Sequence, residues 1–578
     1  MFIKKHIPIA NWLSNYKSQW FKGDLSAGLT VGVMLIPQGM AYASIAGLPP
    51  VYGLYASIVP LIIYAIFGTS RQLAVGPVAM VSLLTATTIG AFGDISISQY
   101  INYALIIALI VGVIQFLLGV FRLGFLVNFL SHPVVSGFTS AAALIIGLSQ
   151  LKHLLGIPIP RTHHINEIIN YAFLNLNKIN LLAVGIGVVG ILIIVLSKKI
   201  HKALPGQLFA VIFGICVVSI FNIGNGSNLP IVKNIPSSLP KFMLPQFDFK
   251  IIKELFPMAL TIALVSFMES IAVAKAIQRK HRNYKVIPNQ ELIALGLSNI
   301  AGSTFQSYPT TGGFSRTAVN DQAGAKTGLA SIISAILIIT TLLFLTPLFY
   351  NLPKAILASV IMVAVFGLID FKEAINLWRS DKTDFTLLVV TFFATLIFGI
   401  EQGIIIGVVL SLAMVIYRTT KPHIAILAKV PGTHFYRNIE RFEHLVSHND
   451  ILIYRFDAHI YFANTNFFKE SLDELVLEKQ NQIKLIIIDG ESINSIDSSG
   501  IHMLEEVYEY YKNLNIKIYF TGIKGPVRDA FVKSGLMEKI GFQNCFMSIQ
   551  EAVDYYHLIK SEESTEFKFK QYIQQTNR

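Results

Sequence analysis

The apolar positions of this 578-residue chain form long runs between residues 25 and 418, and these runs end after Ile416-Tyr417-Arg418. A transmembrane helix needs about 20 predominantly apolar residues. Such spans are predicted at 25–46, 50–67, 102–121, 125–149, 181–197, 206–223, 254–277, 328–349, 353–369, 383–399 and 401–417. Three further apolar segments are short or interrupted by Gly and Pro, at 77–92, 289–303 and 315–323. The pattern predicts an α-helical polytopic membrane protein with fourteen transmembrane segments.

Beyond residue 420 the pattern changes to short β-branched runs that alternate with amphipathic segments. Strands are predicted at Asp450–Phe456, Ile483–Asp489 and Ile516–Thr521, and helices at Thr465–Leu477, Gly500–Leu514, Pro526–Ser534 and Ile549–Tyr556. This alternation is typical of a small α/β domain. The predicted organisation is an N-terminal segment (1–24), a membrane domain (25–420), an α/β domain (421–560) and a flexible tail (561–578).

Composition excludes a wholly soluble enzyme. Only 14% of the residues are charged and 53% are hydrophobic, whereas soluble domains carry about 25% charged residues. The sequence contains no P-loop, His-Glu-x-x-His or Cys-x-x-Cys motif. His163-His164 lies in a predicted outside loop, where a solvated pair is expected rather than a metal site. We expect no enzymatic activity, no cofactor and no metal.

The net charge of +12 is unevenly distributed. Residues 1–420 carry a net +15 and residues 421–578 a net −3. The positive charges lie in short loops that follow even-numbered spans, and this pattern predicts a cytoplasmic N-terminus and α/β domain. Lys152, Arg161 and the lysines near the 224–253 connection are exceptions, on the predicted outer side. The positive charge is therefore explained by the orientation of the chain in the membrane, and nucleic-acid binding is not expected.

Two interrupted segments occupy matching places in the two halves of the membrane domain. Segment 77–92 follows Leu73-Ala-Val-Gly-Pro77, and segment 315–323 follows a Gly-Gly run at residues 312–313. Paired broken helices of this kind are typical of inverted-repeat transporters, with the binding site between them. Two exposed helix starts also suit an anion. The alternative is an ordinary glycine-rich bend in a single helical bundle.

Few ionisable residues are predicted at membrane depth, where each is costly. Arg316, beside Ser315 at the start of the tenth segment, would supply positive charge to an anion site, or else form a structural ion pair. Glu269, in Phe267-Met-Glu-Ser-Ile271, could carry a proton, neutralise Arg316 or cap a broken helix. Gln38 and Tyr42 lie four residues apart on one helix face and could donate hydrogen bonds to an oxyanion or join helices.

Three motifs carry a family resemblance. Ile36-Pro-Gln-Gly-Met-Ala-Tyr-Ala43, Phe67-Gly-Thr-Ser-Arg-Gln-Leu-Ala-Val-Gly-Pro77 and Phe314-Ser-Arg-Thr-Ala318 resemble the SulP-type sulfate permeases. The residues after 420 resemble a STAS domain. The resemblance implies two inverted repeats of seven helices (about 25–223 and 254–418), divided into core and gate domains. It also implies transport of sulfate, bicarbonate, chloride or dicarboxylates, and commonly a homodimer.

The resemblance further implies which residues act. By position, the family's anion site corresponds to Gln38, Tyr42, Val78, Ser315 and Arg316. Val78 is a small aliphatic residue where some relatives carry an aromatic one, so the pocket wall differs there.

Two further positions are implied to be functional. The acidic residue of helix 8 that couples transport to protons or cations corresponds to Glu269. In the STAS domain, Ser498 corresponds to a serine that is phosphorylated in free-standing relatives. In transporter-linked STAS domains that modification is not implied, and the residues Asp497-Ser-Ser-Gly500 favour a helix cap.

The sequence as a whole predicts a multi-pass protein of a bacterial inner membrane that takes up sulfate together with protons by alternating access. Bicarbonate or dicarboxylate transport, or uncoupled exchange or channel activity at the same site, remain alternatives. A regulatory membrane protein that signals through its STAS domain is a third hypothesis. The predicted partners are an inorganic anion, a coupling proton or cation, the lipid bilayer and a second copy of the chain.

Overall fold

The computed structural model describes residues 7–125, 131–157, 165–200, 205–221, 229–246, 248–479 and 482–560. The chain divides into two compact units, the membrane unit (Met1–Ser411) and the α/β unit (Leu412–Arg578). Three sequence predictions, on the tail 561–578, Arg161 and His163-His164, lie outside the described residues.

Helices make up nearly all of the regular structure before residue 420. They are α1 (Ile9–Leu13), α2 (Ser18–Ile45), α3 (Val51–Tyr55), α4 (Val59–Phe67), α5 (Ala79–Gly90), α6 (Ile97–Val120), α7 (His132–Ser149), α8 (Leu151–Leu154), α9 (Ile165–Leu174), α10 (Leu181–Ile200), α11 (Gly206–Ile220), α12 (Phe249–His281), α13 (Pro288–Thr304), α14 (Phe314–Gln322), α15 (Leu329–Thr340), α16 (Lys354–Phe366), α17 (Phe371–Ser380), α18 (Lys382–Phe398) and α19 (Ile400–Thr420). A π turn and a 3₁₀ turn extend α15 to Phe349.

The apolar runs correspond to these helices. Within the described ranges, eight helical stretches are long and apolar enough to cross a membrane, and Val51–Phe67, Ala79–Gly90 and Gly206–Ile220 are shorter apolar ones. The short helices α1, α8, α9 and α17 were not predicted. In α17, lysine, glutamate and arginine interrupt the apolar residues, so no continuous run marks it.

The membrane unit contains two groups of helices. In the first group, α2 packs on α15, α12 packs on α6, and α13 packs on both α4 and α6. In the second group, α7 packs on α18, and α10 packs on α11 and α16. The first helix of each half thus contacts the fourth helix of the other half, as expected for two interlocked repeats.

Small residues permit the closest helix contacts in the first group. A Cβ atom added to Gly112 of α6 would lie 2.8 Å from the carbonyl oxygen of Gly296 in α13. One added to Gly296 would lie 2.5 Å from the backbone nitrogen of Phe116. The two backbones are therefore in direct contact, as is typical of helix pairs in membranes, where small residues allow close packing.

Two short strands, β1 (Val75–Gly76) and β2 (Thr311–Gly312), belong to the membrane unit. The strands of the α/β unit are β3 (Ile424–Lys429), β4 (Tyr436–Asn438), β5 (Ile451–Phe456), β6 (Leu485–Asp489), β7 (Lys517–Thr521) and β8 (Cys545–Phe546). They form one six-stranded sheet of order β4-β3-β5-β6-β7-β8. Strands β5 to β8 are parallel, and β3 is antiparallel to both neighbours. The helices are α20 (Thr465–Glu478), α21 (Ser498–Asn513), α22 (Gly525–Lys533), α23 (Leu536–Ile540) and α24 (Ile549–Lys560).

The three predicted strands and four predicted helices of this unit are present, and four elements were missed. The missed elements are β3, β4, β8 and α23. Strands β4 and β8 have only three and two residues, too few to show a period-two pattern. The buried β6, Leu-Ile-Ile-Ile-Asp, was evident because every one of its residues is apolar except the last.

Candidate functional site

Two short strands, one from each half of the chain, meet within the membrane unit. β1 (Val75–Gly76) pairs antiparallel with β2 (Thr311–Gly312), and Val75 lies opposite Gly312. Each strand leads directly into a helix, β1 into α5 and β2 into α14. (The two-stranded sheet β1-β2 is separate from the sheet of the α/β unit.) The pairing therefore brings together the starts of the two interrupted helices.

Neither helix start carries a side-chain cap. Val78 precedes α5 and Gly313 precedes α14, and neither residue has a side-chain acceptor for the N–H groups of the first turn. Those groups have no partner within their own helix, and they lie at the positive end of the helix dipole. Both starts therefore remain able to interact with an anion.

Arg316 lies in the first turn of α14 and is almost fully buried, with 1% of its surface exposed. Its Nη1 donates a hydrogen bond to the carbonyl oxygen of Pro77, immediately before Val78. Its Nε and Nη2 are buried without a hydrogen-bond partner. Burying a charged donor without an acceptor is costly. Arg316 thus brings positive charge and unused donors to the place where the two helices begin.

Two glycines leave room for the guanidinium. A Cβ atom at Gly313 would lie 3.0 Å from Nη2 of Arg316, and one at Gly76 would lie 3.4 Å from the same atom. Gly76 also has a φ of 155°, in the region that side chains rarely adopt. Gly313 is therefore needed for close packing around Arg316, whereas Gly76 is needed for its backbone conformation.

Gln38 and Tyr42 of α2 lie beside this arrangement. Both are buried, with 1% and 6% of their surfaces exposed. Tyr42 lies next to Gln38 and interacts electrostatically with Arg316 and Glu269. The Oε1 atom of Gln38 has no partner. A second polar group near Arg316 is thus buried without full hydrogen bonding.

Glu269 of α12 is partly exposed, whereas its neighbour Ser270 is fully buried. It interacts electrostatically with Arg316. Among the described residues, however, the two side chains form no ion pair within the 4.0 Å that defines one. Glu269 therefore acts on Arg316 from a distance, and no direct ion pair between these two described residues neutralises the guanidinium.

The remaining two predicted residues line the helix starts. Val78 is the residue before α5 and is 5% exposed. Ser315 is the second residue of α14 and is exposed, as is Phe314 before it. Helix α14 begins at Phe314, one residue earlier than predicted. Ser315 therefore presents its hydroxyl on the exposed side of the helix start, whereas Arg316 is buried.

Sequence reasoning missed Tyr308. This residue is fully buried, its hydroxyl lies 3.1 Å from that of Ser82 in α5, and it interacts electrostatically with Arg316 and Tyr42. The tyrosine stands in the run Ser307-Tyr-Pro before the second break, which was available as a signal. It joins the second break to the helix that follows the first one.

A hydroxyl network, also missed, holds β2 against α12. The Gly312 backbone N–H donates to Ser270 Oγ (2.7 Å), and Ser270 Oγ lies 2.6 Å from Thr311 Oγ1. Thr311 in turn donates to the carbonyl oxygen of Ser266 (2.6 Å). Because Ser270 follows Glu269, this network fixes the second break relative to the carboxylate.

Ser498 in the α/β unit is exposed at the start of α21. The side chain of Asp497 caps this helix by accepting a hydrogen bond from the Gly500 N–H (2.8 Å), and its second oxygen accepts one from Phe462 N–H (3.0 Å). Within the Asp-Ser-Ser-Gly run, Asp497 is therefore the residue that caps the helix. The regulatory role of Ser498 stays a prediction.

The chemistry of the site in the membrane unit follows from these contacts. It offers two uncapped helix starts, a buried guanidinium with unused donors, hydroxyl and amide groups, and one carboxylate at a distance. Such a set suits reversible binding of an oxyanion. Within the described ranges, no group of three His, Cys, Asp or Glu side chains could hold a metal ion.

Comparison with known proteins places this geometry in a family. The profile of the Sulfate permease family matches residues 21–391, and that of the STAS domain matches residues 444–552. The chain belongs to the Sulfate permease family. The predicted resemblance is thereby confirmed. A family of transporters also agrees with the prediction that the chain is not an enzyme.

Individual relatives agree over nearly the whole chain. The chain is 41% identical to "Sulfate transporter 4.1, chloroplastic" of Arabidopsis thaliana over 564 residues, covering 94% of this chain and 82% of the relative. It is 36% identical to "High affinity sulfate transporter 2" of Stylosanthes hamata, covering 95% and 86%. Murine Solute Carrier 26 family member A9, an anion transporter solved in the inward-facing state, matches with a TM-score of 0.89 at 27% identity, over 96% of this chain and 94% of that one.

These findings confirm a helical membrane transporter with a C-terminal STAS domain and a multi-pass membrane location, and they are consistent with the predicted fourteen segments. They do not fix which membrane. The prediction of a bacterial inner membrane therefore stays a prediction, and the first of these relatives is named as chloroplastic.

Proposed function

We propose that this permease is a secondary active transporter that takes up sulfate together with protons. The observation that carries the proposal is Arg316, a buried guanidinium with unpaired Nε and Nη2 atoms between two uncapped helix starts. An oxyanion would satisfy these donors, and the names of the similar plant transporters support sulfate as that anion.

In this proposal the binding site comprises Gln38, Tyr42, Val78, Ser315 and Arg316. Arg316 and the helix dipoles supply positive potential, and Gln38, Tyr42 and Ser315 supply hydrogen bonds. Val78 forms an apolar wall. Because charge-assisted hydrogen bonds are stronger than neutral ones, Arg316 contributes most of the affinity.

Glu269 is the coupling residue in this proposal. Its partial exposure gives protons access, and its electrostatic interaction with Arg316 links its charge to anion binding. When Glu269 is protonated, the positive potential of Arg316 is less offset, so the dianion binds more tightly. When it loses the proton, the anion is released.

Movement of the two helix groups would supply alternating access. Gln38 and Tyr42 lie on α2 and Glu269 lies on α12, both in the first group. Helices α5 and α14, which begin beside Val78 and Arg316, pack on these two helices. The site would therefore move as one body against the second group. A homodimer, formed through the membrane unit or through the α/β unit, stays a prediction.

The test is radiolabelled sulfate uptake into proteoliposomes, with and without a pH gradient that is acidic outside. Uptake that overshoots with the gradient, and no longer does so in Glu269→Gln, would support proton–sulfate symport. Glu254→Gln is the matched control, because Glu254 is an exposed carboxylate on the same helix. Equal, non-concentrative uptake in both conditions would indicate exchange or a channel. No sulfate uptake would favour bicarbonate or a dicarboxylate.

A further inference from the structure

A cavity of about 660 Å³ lies in the membrane unit away from the β1–β2 pair. One side is lined by the ends of α2 and α5 and by the start of α6, and the other by α7, α8 and the start of α16. The cavity therefore lies between the two helix groups. Helix α2 has 28 residues and is about 42 Å long, and with a cytoplasmic N-terminus its C-terminal end is on the outer side.

The ionisable residues that line the cavity are mainly basic. They are Lys152, His153 and Lys354, with Asp94 as the acidic member of the lining. His153 lies close enough to both lysines to interact with them electrostatically, and the two lysines carry the positive charge of this group. A cleft with walls of low polarity concentrates the field of such charges.

The two lysines of the cavity, Lys152 and Lys354, lie on the predicted outer side, which is unusual for membrane proteins. Lysine and arginine are usually enriched on the cytoplasmic side. Lys152 was an exception to the predicted topology, and Lys354 begins α16 at the same end of the unit. Topology does not explain lysines at this position, and both lysines line the cavity.

The cavity lies close to the anion site along two helices. Ser44, which lines it, is two residues from Tyr42 on α2, and Leu83, which lines it, is five residues from Val78. The helices that carry part of the site therefore also form part of the cavity wall.

We propose that Lys152, His153 and Lys354 form an outer capture site for small divalent oxyanions, separate from the site around Arg316. This inference rests on the proposed anion transport. The capture site raises the local concentration of the anion before it reaches Gln38 and Tyr42. It thus acts on the apparent affinity at the outer face and not on the maximal rate.

Lys354 is the best position for a test, because its backbone is held independently of its side chain. Its N–H donates to the carbonyl oxygen of Pro230 (2.9 Å), and the adjacent Pro353 is bridged to Ile231. The side chain itself is exposed. Substitution at Lys354 should therefore leave the fold intact.

The first experiment measures sulfate transport in vesicles of known orientation. Lys354→Gln should raise the KM for sulfate at the outer face roughly three- to tenfold, since one charge near a dianion is removed in a partly screened site. The maximal rate and the inner-face KM should not change. Lys354→Arg, which keeps the positive charge, should have the same outer-face KM as the unmodified chain. Lys241→Gln, at an exposed lysine outside the cavity lining, is the matched control.

A second experiment does not depend on transport. In a chain with Cys216 and Cys545 replaced by serine, Ala86→Cys places one thiol in the cavity wall. An anionic methanethiosulfonate should label it faster than a cationic one, and Lys354→Gln should reduce that preference.

The outcomes distinguish the two proposals. An unchanged outer-face KM in Lys354→Gln, an equal change in Lys241→Gln, or labelling without preference for the anionic reagent would overturn the capture site. Failure of the unmodified chain to transport sulfate would instead overturn the proposed function, and the thiol labelling would still decide whether the cavity attracts anions.

Discussion

The two interrupted helices of the membrane unit share a backbone arrangement but differ in the third residue of each helix. In α5 that residue is Val81, and in α14 it is Arg316, both almost fully buried. Each helix follows a two-residue strand, and the strands pair with each other. The repeated backbone thus provides the geometry, and the arginine side chain at this position of α14 provides the charge. Two arginines in this place would repel each other, whereas one leaves a positive site for an anion.

The largest expected effect comes from removing the charge of Arg316, which distinguishes α14 from α5. Arg316→Ala should weaken sulfate binding by more than about 100-fold, because a charge-assisted hydrogen bond is worth roughly 1.5–3 kcal/mol and the local charge is lost as well. Val81→Ala, the same truncation at the matching position of α5, should change the affinity by less than about threefold, since it removes no polar contact. Titration of the purified protein with sulfate measures both. Equal effects of the two substitutions would show that the charge asymmetry does not determine binding.

A smaller effect should follow from crowding the guanidinium without removing it. Gly313→Ala places a methyl group 3.0 Å from Arg316 Nη2, and overpacking of this kind costs about 1–3 kcal/mol. We expect sulfate affinity to fall about tenfold, with the charge still present. Gly185→Ala is the control, because a Cβ atom there meets nothing within 4 Å. An unchanged affinity in Gly313→Ala would mean that the position of the guanidinium is not critical.

Stability should also distinguish the two breaks. Ser270→Ala leaves the Gly312 N–H buried without an acceptor, which costs about 1–3 kcal/mol, and it also removes the contact with Thr311. Thr317→Val removes the acceptor of the Ala74 N–H, before β1, at 3.1 Å. Thermal unfolding of the purified protein should show a lower Tm for both variants, with the larger decrease for Ser270→Ala. A Tm equal to that of the unmodified chain would contradict the contribution of these hydroxyls.

The smallest effects are expected where a helix start already has a cap. Helix α21 begins with the capping side chain of Asp497, unlike α5 and α14. Asp497→Ala should destabilise the α/β unit by about 1 kcal/mol, seen as faster hydrogen exchange at Gly500, without changing sulfate affinity. Ser498→Ala, at the exposed neighbour, should change stability by less than about 0.5 kcal/mol. A loss of sulfate affinity in Asp497→Ala would show that the capped start is not merely structural.

Several features of the site were predictable because they depend on local sequence. The breaks at Gly76 and at residues 312–313 interrupt apolar runs, and Arg316 and Glu269 stand out because charges are rare at membrane depth. Gln38 and Tyr42 follow from helical spacing. Tyr308 and Ser270 were missed, since a tyrosine or a serine in an apolar segment is common and nothing local shows which partner it will meet.

The sequence by itself determined the transmembrane segments, the two breaks and the α/β domain, because each depends on the hydrophobic pattern of a continuous stretch. Only the tertiary structure decided which groups come together over long separations. The pairing of Val75 with Gly312, the bond from Arg316 to Pro77, and the cavity that joins Lys152 to Lys354 all link residues about 200 or more positions apart. Such contacts depend on how whole helices pack, and no periodicity within a segment records that.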